Sequence, residues 1–205
     1  MGEEGVKRLL EQKPKDKNKL YSLHASKVEC IGKGKARHPY EFGVKVTVAT
    51  THKEGLVVGI RSLPGNPYDG HTLPEAIEQV SILTHQTPKA VFVDKGYRGA
   101  SVDGVTIWRS GQRRGVTPSI RKAIHRRSVI EPAIGQMKNE GKLRRNWLKG
   151  SLGDALNAVL CGAGHNLRMI LRALRHFYAR SLCFWIMLIN QRNSQKSKFN
   201  YLIVW

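Results

Sequence analysis

Residues 90–99 read AVFVDKGYRG. Val91, Phe92 and Val93 form a short β-branched and aromatic run bounded by Pro88 and Gly96, the composition of a fully buried strand. That assignment places Asp94 at the carboxyl end of the strand, where ligands and catalytic groups gather in open α/β sheets. Asp-x-Gly is also good turn chemistry. The carboxylate alone therefore does not choose between opening a turn and serving a site.

Upstream, residues 40–50 read YEFGVKVTVAT, in which Phe42, Val44, Val46 and Val48 alternate with Gly43, Lys45 and Thr47. Strict period two predicts a half-buried strand. THKEG (51–55) follows as a turn and LVVGIRSL (56–63) as a second strand, paired most simply as a hairpin. PGNPYDG (64–70) is a loop by composition, and there Asp69 and His71 shape a turn or approach the site. Thr72-Leu73-Pro74-Glu75 has the form of a capping box with proline in the first turn. It opens a helix to about Leu83 with Leu73, Ala76, Ile77, Val80 and Leu83 on its apolar face. Downstream, VTIWR (105–109) is a fourth strand, and from Thr117 the chain turns helical and basic. Leu152, Leu156, Val159, Ala163, Leu167, Ile170, Leu174 and Phe177 recur at spacings of three and four, predicting a long amphipathic helix. Gly162 and Gly164 within it mark a close contact or a break. The order strand, strand, helix, strand, strand, helix, helix is that of an α/β fold, and no internal repeat is visible.

The chain has 205 residues, enough for one domain with a core. Thirty-five Lys and Arg against fifteen Asp and Glu give a formal charge of +20 spread along the whole length. Such an excess repels itself unless a polyanion neutralises it, so nucleic acid is the first partner to consider. The most apolar run, residues 182–189, falls short of the roughly 20 residues that span a bilayer, and the first residues lack the apolar core of a signal peptide. Cys30, Cys161 and Cys183 lie far apart, which indicates neither a disulfide framework nor a zinc ribbon. A reduced, cytoplasmic or nucleoid setting fits this usage. GKGKAR (32–37) lacks the terminal Lys-Ser/Thr of a phosphate loop and reads as a solvated basic loop.

Glu131 is the second carboxylate of interest, because Arg126, Arg127 and Lys138 surround it in sequence. Spacings of four and seven place Arg127, Glu131 and Lys138 on one helix face. Ser128-Val129-Ile130-Glu131 is itself a capping box with Pro132 behind it, so a capping role competes. Asp94 and Glu131 make more sense together, since phosphodiester chemistry uses divalent ions held by carboxylate oxygens. Arg113, Arg114, Arg121, Lys122, Arg126, Arg144 and Arg145 form a dense basic tract, collectively the candidate DNA track. Trp147 at its end either stacks on a base or is buried beneath the last helix. Tyr97 and Arg98 contact DNA or, for Tyr97, pack; His165 and Asn166 read as satisfied polar groups.

VDKGYRG (93–99) followed by RRSVIEPAIGQMK (126–138) resembles the second-Asp and Glu regions of the DDE transposases of bacterial insertion sequences, in the group typified by insertion sequence five. The Glu region of that group runs Tyr, two residues, Arg, three residues, Glu, six residues, Lys; Arg127, Glu131 and Lys138 match, while Ile124 stands where the Tyr would be. YSLHA, ECIGKGKARHPYEFGVKV, LPGNPYDGHTL, SGQRRGVTP and GDALNAVLCGAGHNLR also resemble this group, so the likeness covers residues 20–175. It implies a ribonuclease H-like mixed sheet flanked by helices, with Asp94 and Glu131 as catalytic metal ligands for Mg2+ or Mn2+. It further implies Lys138 on DNA, beside the candidate contacts Arg98, Arg113, Arg114, Arg126, Arg127, Arg144 and Arg145, with terminal inverted repeats and target DNA bound by a homodimer. The strand bearing the first Asp of the triad is missing from this reading, since Asp16 in KPKDKNK is the only Asp before Asp69 and its surroundings are not strand-like. The expected organisation is a basic, mobile segment at 1–39, a partial catalytic domain at 40–180 and an atypical tail at 181–205. The expected activity is that of a truncated transposase that does not cut DNA alone. A non-enzymatic DNA-binding remnant and a ribosome-associated basic protein are the alternatives.

Overall fold

The computed structural model describes residues 3–32, 36, 37 and 39–198, with side chains as far as 192. Lys33, Gly34 and Lys35 of the basic run at 32–37, and residues 199–205 of the tail, lie outside the described residues. Contacts divide the chain into two units, Met1–His165 and Asn166–Trp205.

The first unit is mixed α/β. It opens with α1 (Glu3–Glu11), after which Asp16 closes a turn by accepting from Lys13 N at 2.6 Å. Two strands, β1 (Glu29–Gly32) and β2 (Tyr40–Gly43), pair antiparallel. The alternating stretch at 40–50 is thus not one strand. Gly43 has φ 146°, a conformation closed to ordinary side chains, and there the chain leaves β2 and starts β3 (Lys45–Thr50) against a different partner. β3 and β4 (Val57–Leu63) form the expected antiparallel hairpin, from Lys45 opposite Leu63 to Thr50 opposite Val57, with a bulge near Ala49.

α2 (Asp69–Thr84) starts earlier than the capping-box reading places it. Thr72 lies inside the helix, 4% exposed, and donates its hydroxyl to the carbonyl of Asp69 at 2.8 Å, so Thr72 and Glu75 do not form a capping box. Asp69 and His71 accordingly sit in the first helical turn and not in a loop. β5 (Ala90–Val93) and β6 (Thr106–Arg109) pair parallel and in register. Among the described residues the strands form three separate two-stranded ladders instead of one mixed sheet. Both strands of the parallel ladder are only four residues long, and α2 brings Leu73 and Ile77 against them.

Two apolar clusters hold the unit together. Leu73 and Ile77 of α2 meet Val93 and Val105, with Tyr97 packed alongside. Val57 and Ile60 of β4 meet Met137 of α4 (Ile130–Asn139) and Ala158 of α5 (Gly150–Lys198). α2 links the two: Gly59 of β4 lets Val80 of α2 come so close that a Cβ there would stand 3.0 Å from its methyl. α5 meets the hairpin through small residues. Ala158, Cys161, Gly162 and His165 are buried, whereas Leu152, Leu156 and Val159 are 47–71% exposed. Within this unit the apolar face predicted for the helix is therefore the wrong one. Gly162 is a close contact, as one of its two sequence readings had it: a Cβ there would lie 3.1 Å from Val57. His165 Nε2 faces the carbonyl of Gly55 at 3.3 Å, while its Nδ1 has no partner among the described residues.

Candidate functional site

The parallel pairing of β5 and β6 fixes where chemistry can collect, because both strands end at the same edge. Asp94 follows Val93 directly, and its carboxylate accepts from Lys95 N at 2.8 Å, capping a 3₁₀ turn at Lys95–Tyr97. It thus lies at the strand end the sequence assigned and opens a turn there. Next to it, Ser110 N donates to Val93 O at 2.9 Å, and Gly111 lies under the side chain of Lys95. The loop carrying Arg113 and Arg114 therefore starts beside Asp94, with both arginines exposed.

The 3₁₀ turn is clamped from the far side by the start of α2. Tyr68 donates its hydroxyl to the carbonyl of Arg98 at 2.9 Å. The carboxylate of Asp69 lies against Gly96, close enough that a Cβ at Gly96 would collide with it. Lys45 of β3 holds Asp69 in that position, Nζ to Oδ1 at 2.6 Å. No sequence motif announced this Lys45–Asp69–Gly96 contact. Tyr97 packs into the α2 cluster, so of its two readings the structural one applies; Arg98 is exposed.

Arg127 and Glu131 arrive from the other direction. α3 (Pro118–Arg126) is capped by Thr117, whose hydroxyl accepts from Ile120 N at 3.3 Å. Its last residue, Arg126, donates to the carbonyls of His52 at 3.0 Å and Lys53 at 2.8 Å. His52 in turn stacks on Phe92, ring centroids 4.8 Å apart, two residues before Asp94. The hairpin turn is thus a shared mount for β5 and for the end of α3. That mount brings Arg127 to Asp94, Nη2 to Oδ1 at 3.5 Å. The same nitrogen stands 3.6 Å from Glu131 Oε1. Ser128 donates to the carbonyl of His125 and α4 has no side-chain cap, so the capping role for Glu131 is not realised.

Asp94 and Glu131 therefore converge on one guanidinium. Arg127 is 19% exposed, while the carboxylates are 60% and 69% exposed. Ion pairs this open to solvent contribute about 0–1 kcal/mol, too little to count as scaffold. Both carboxylates are hard anionic oxygens facing water, a donor type that suits a divalent cation, although among the described residues no group of three or more His, Cys, Asp or Glu is arranged to hold one. Lys138 is drawn to Glu41, 3.5 Å away, a partner the sequence reading did not foresee.

The rest of the basic tract divides by what each residue touches. Arg126 is engaged with the hairpin backbone, whereas Arg144 and Arg145 are exposed. Trp147 is 70% exposed, so its burial beneath the last helix does not occur. No helix among the described residues is long and apolar enough to cross a membrane. A family model described as the transposase DDE domain matches residues 11–161. No curated protein and no solved structure matches the chain.

Proposed function

The chain belongs to the transposase DDE domain family, and from that premise we propose that Asp94 and Glu131 are two of its catalytic carboxylates. The family's business is DNA transposition, its partner DNA and its cofactor a divalent metal. The finer reading is a member of the insertion-sequence-five group with a ribonuclease H-like arrangement, acting on terminal inverted repeats as a homodimer at the bacterial nucleoid. One observation carries the site: Arg127 lies 3.5 Å from Asp94 and 3.6 Å from Glu131, joining carboxylates that sequence separates by a strand and an α-helix.

Asp94 and Glu131 would hold Mg2+ or Mn2+. A bound ion of that kind polarises a phosphoryl oxygen and supplies a nucleophile at neutral pH. The chain's own residues then do the positioning. Arg127, released from two weak pairs, presents a guanidinium whose planar donors match a phosphate. Lys138 is likewise held by one exposed carboxylate and is free to exchange it for phosphate. Arg98, Arg113 and Arg114 at the same strand edge extend the cationic surface, and Arg144 and Arg145 continue it in sequence.

Manganese titration followed by the ion's electron paramagnetic resonance signal tests the site. Wild-type chain should bind the ion, and Asp94→Asn and Glu131→Gln should each weaken binding about tenfold or more, which is about 1.4 kcal/mol. Unchanged affinity in both variants sinks the assignment. For the DNA half, salt-sensitive preference for terminal-repeat duplex over random DNA and over RNA is expected. Equal binding of RNA would return the chain to the ribosome-associated class.

The position of Arg127 also favours a second reading, a DNA-binding transposase relative without strand cleavage. Its guanidinium already stands between the two carboxylates, where a metal cation would, and offsets one of their two negative charges. Terminal-repeat preference without manganese binding would select that reading.

A further inference from the structure

Trp147 is 70% exposed, yet the backbone that carries it is held on both sides. Asn146 donates from Nδ2 to Asp154 Oδ1 at 2.7 Å and accepts from Leu148 N at 2.9 Å. Gly153, in the first turn of α5, approaches Leu148 so closely that a Cβ there would stand 2.8 Å from its carbonyl carbon. The loop is anchored, and the ring points outward from it. Aromatic side chains bury about 150–250 Å² when packed into a core, so a fixed loop that leaves the indole in water forgoes a large stabilisation. Over the ring lies the guanidinium of Arg145, 4.4 Å from the centroid. Arg144 and Lys149 alongside are exposed.

An anchored, exposed aromatic ring with a guanidinium over one face has the parts of a nucleobase platform. The other π face receives a base, and Arg145 with its exposed sequence neighbours Arg144 and Lys149 receives the flanking phosphates. Bases in a duplex are already stacked on one another, so this ring can serve only a base freed from pairing. We propose that Trp147 stacks on an unpaired base of DNA, with Arg145 and Arg144 on the adjoining phosphates. The proposal rests on the DNA-binding reading above and adds strand state as the property this surface selects.

Fluorescence anisotropy of the full chain tests it, with a labelled duplex and the same duplex carrying a short single-stranded gap. Stacking on one base should make the gapped DNA bind about tenfold tighter. Trp147→Ala should abolish that difference and leave affinity for intact duplex unchanged, while Trp147→Phe should keep most of it. Equal weakening on both DNAs, or a gap preference that survives Trp147→Ala, overturns the platform. Salt-sensitive duplex binding with no gap preference in the wild-type chain overturns the stacking alone. Binding to neither DNA overturns the stacking together with the DNA-binding reading. Tighter binding of a single-stranded RNA than of the DNA strand of the same sequence overturns the assignment to DNA.

Discussion

Gly96 lies two residues beyond Asp94, and the carboxylate of Asp69 rests against it where a Cβ would be. Lys45 pins that carboxylate with a 2.6 Å ion pair, so it cannot swing aside without losing its partner. A methyl group at Gly96 therefore forces the 3₁₀ turn or the start of α2 to move. Gly96→Ala should destabilise the chain by about 1–3 kcal/mol, the usual range for overpacking. Asp69→Ala in the same chain should recover part of that loss, because it removes the colliding group; a thermal-melt double-mutant cycle reads the coupling. Strictly additive effects would show that the carboxylate is not what the glycine accommodates. The Asp94–Arg127–Glu131 cluster differs in kind, because its members are solvated and its pairs weak. At this scale the sequence was most informative where a residue's chemistry is intrinsic. Asp94, Arg127 and Glu131 stood out as charges in unusual company, and the structure brings them together. Lys45 and Asp69 left no such mark, since their pairing depends on how the hairpin meets α2.

The amphipathic reading of α5 shows how an element can be legible in kind and wrong in phase. Its large apolar residues recur with helical period, and the helix is there. The buried row of Ala158, Cys161, Gly162 and His165 follows the same period but is offset from Leu156 and Val159 by about two residues, roughly 200° around a helix with about 3.6 residues per turn. Apolar periodicity assumes that the larger residues go inward; here close approach to β4 selects the smaller ones. Both capping boxes misled for a related reason, since the side chains of Thr72 and Ser128 donate to backbone carbonyls one turn back, where the chain is already helical. The hairpin was legible because alternation and a turn signal agree. Its separation from the β1–β2 ladder was not, because nothing but the backbone of Gly43 records it. Gly162→Leu should accordingly cost about 1–3 kcal/mol by overpacking against Val57 and Ile60. Val159→Ala, at a position 48% exposed, should stay within about 0.5 kcal/mol. Urea denaturation of both variants measures this, and the reverse ranking would restore the face that periodicity chose.

For the molecule as a whole, the formal charge of +20 decides behaviour that no single pair can. Charge of that size is unfavourable to concentrate in a folded chain unless an anion shares the space. If 6–10 cationic side chains meet phosphates, affinity for duplex DNA should fall by about 10³–10⁵ between 50 and 200 mM salt. The basic residues do not contribute alike. Arg113 and Arg114 are exposed beside the strand edge that carries Asp94, so replacing either with alanine should lower the slope of log affinity against log salt by about 0.9. Arg126 belongs to the same sequence tract, but its guanidinium is engaged with the carbonyls of His52 and Lys53. Arg126→Ala should leave the salt slope nearly unchanged and instead lower stability by about 1.5–3 kcal/mol, the range for hydrogen bonds involving a charged group. Binding isotherms at several salt concentrations, paired with thermal melts, separate the two classes. A slope loss at Arg126 equal to that at Arg113 would mean the basic tract acts as an undifferentiated field, and the hairpin mount that brings Arg127 to Asp94 would have to be held by other contacts.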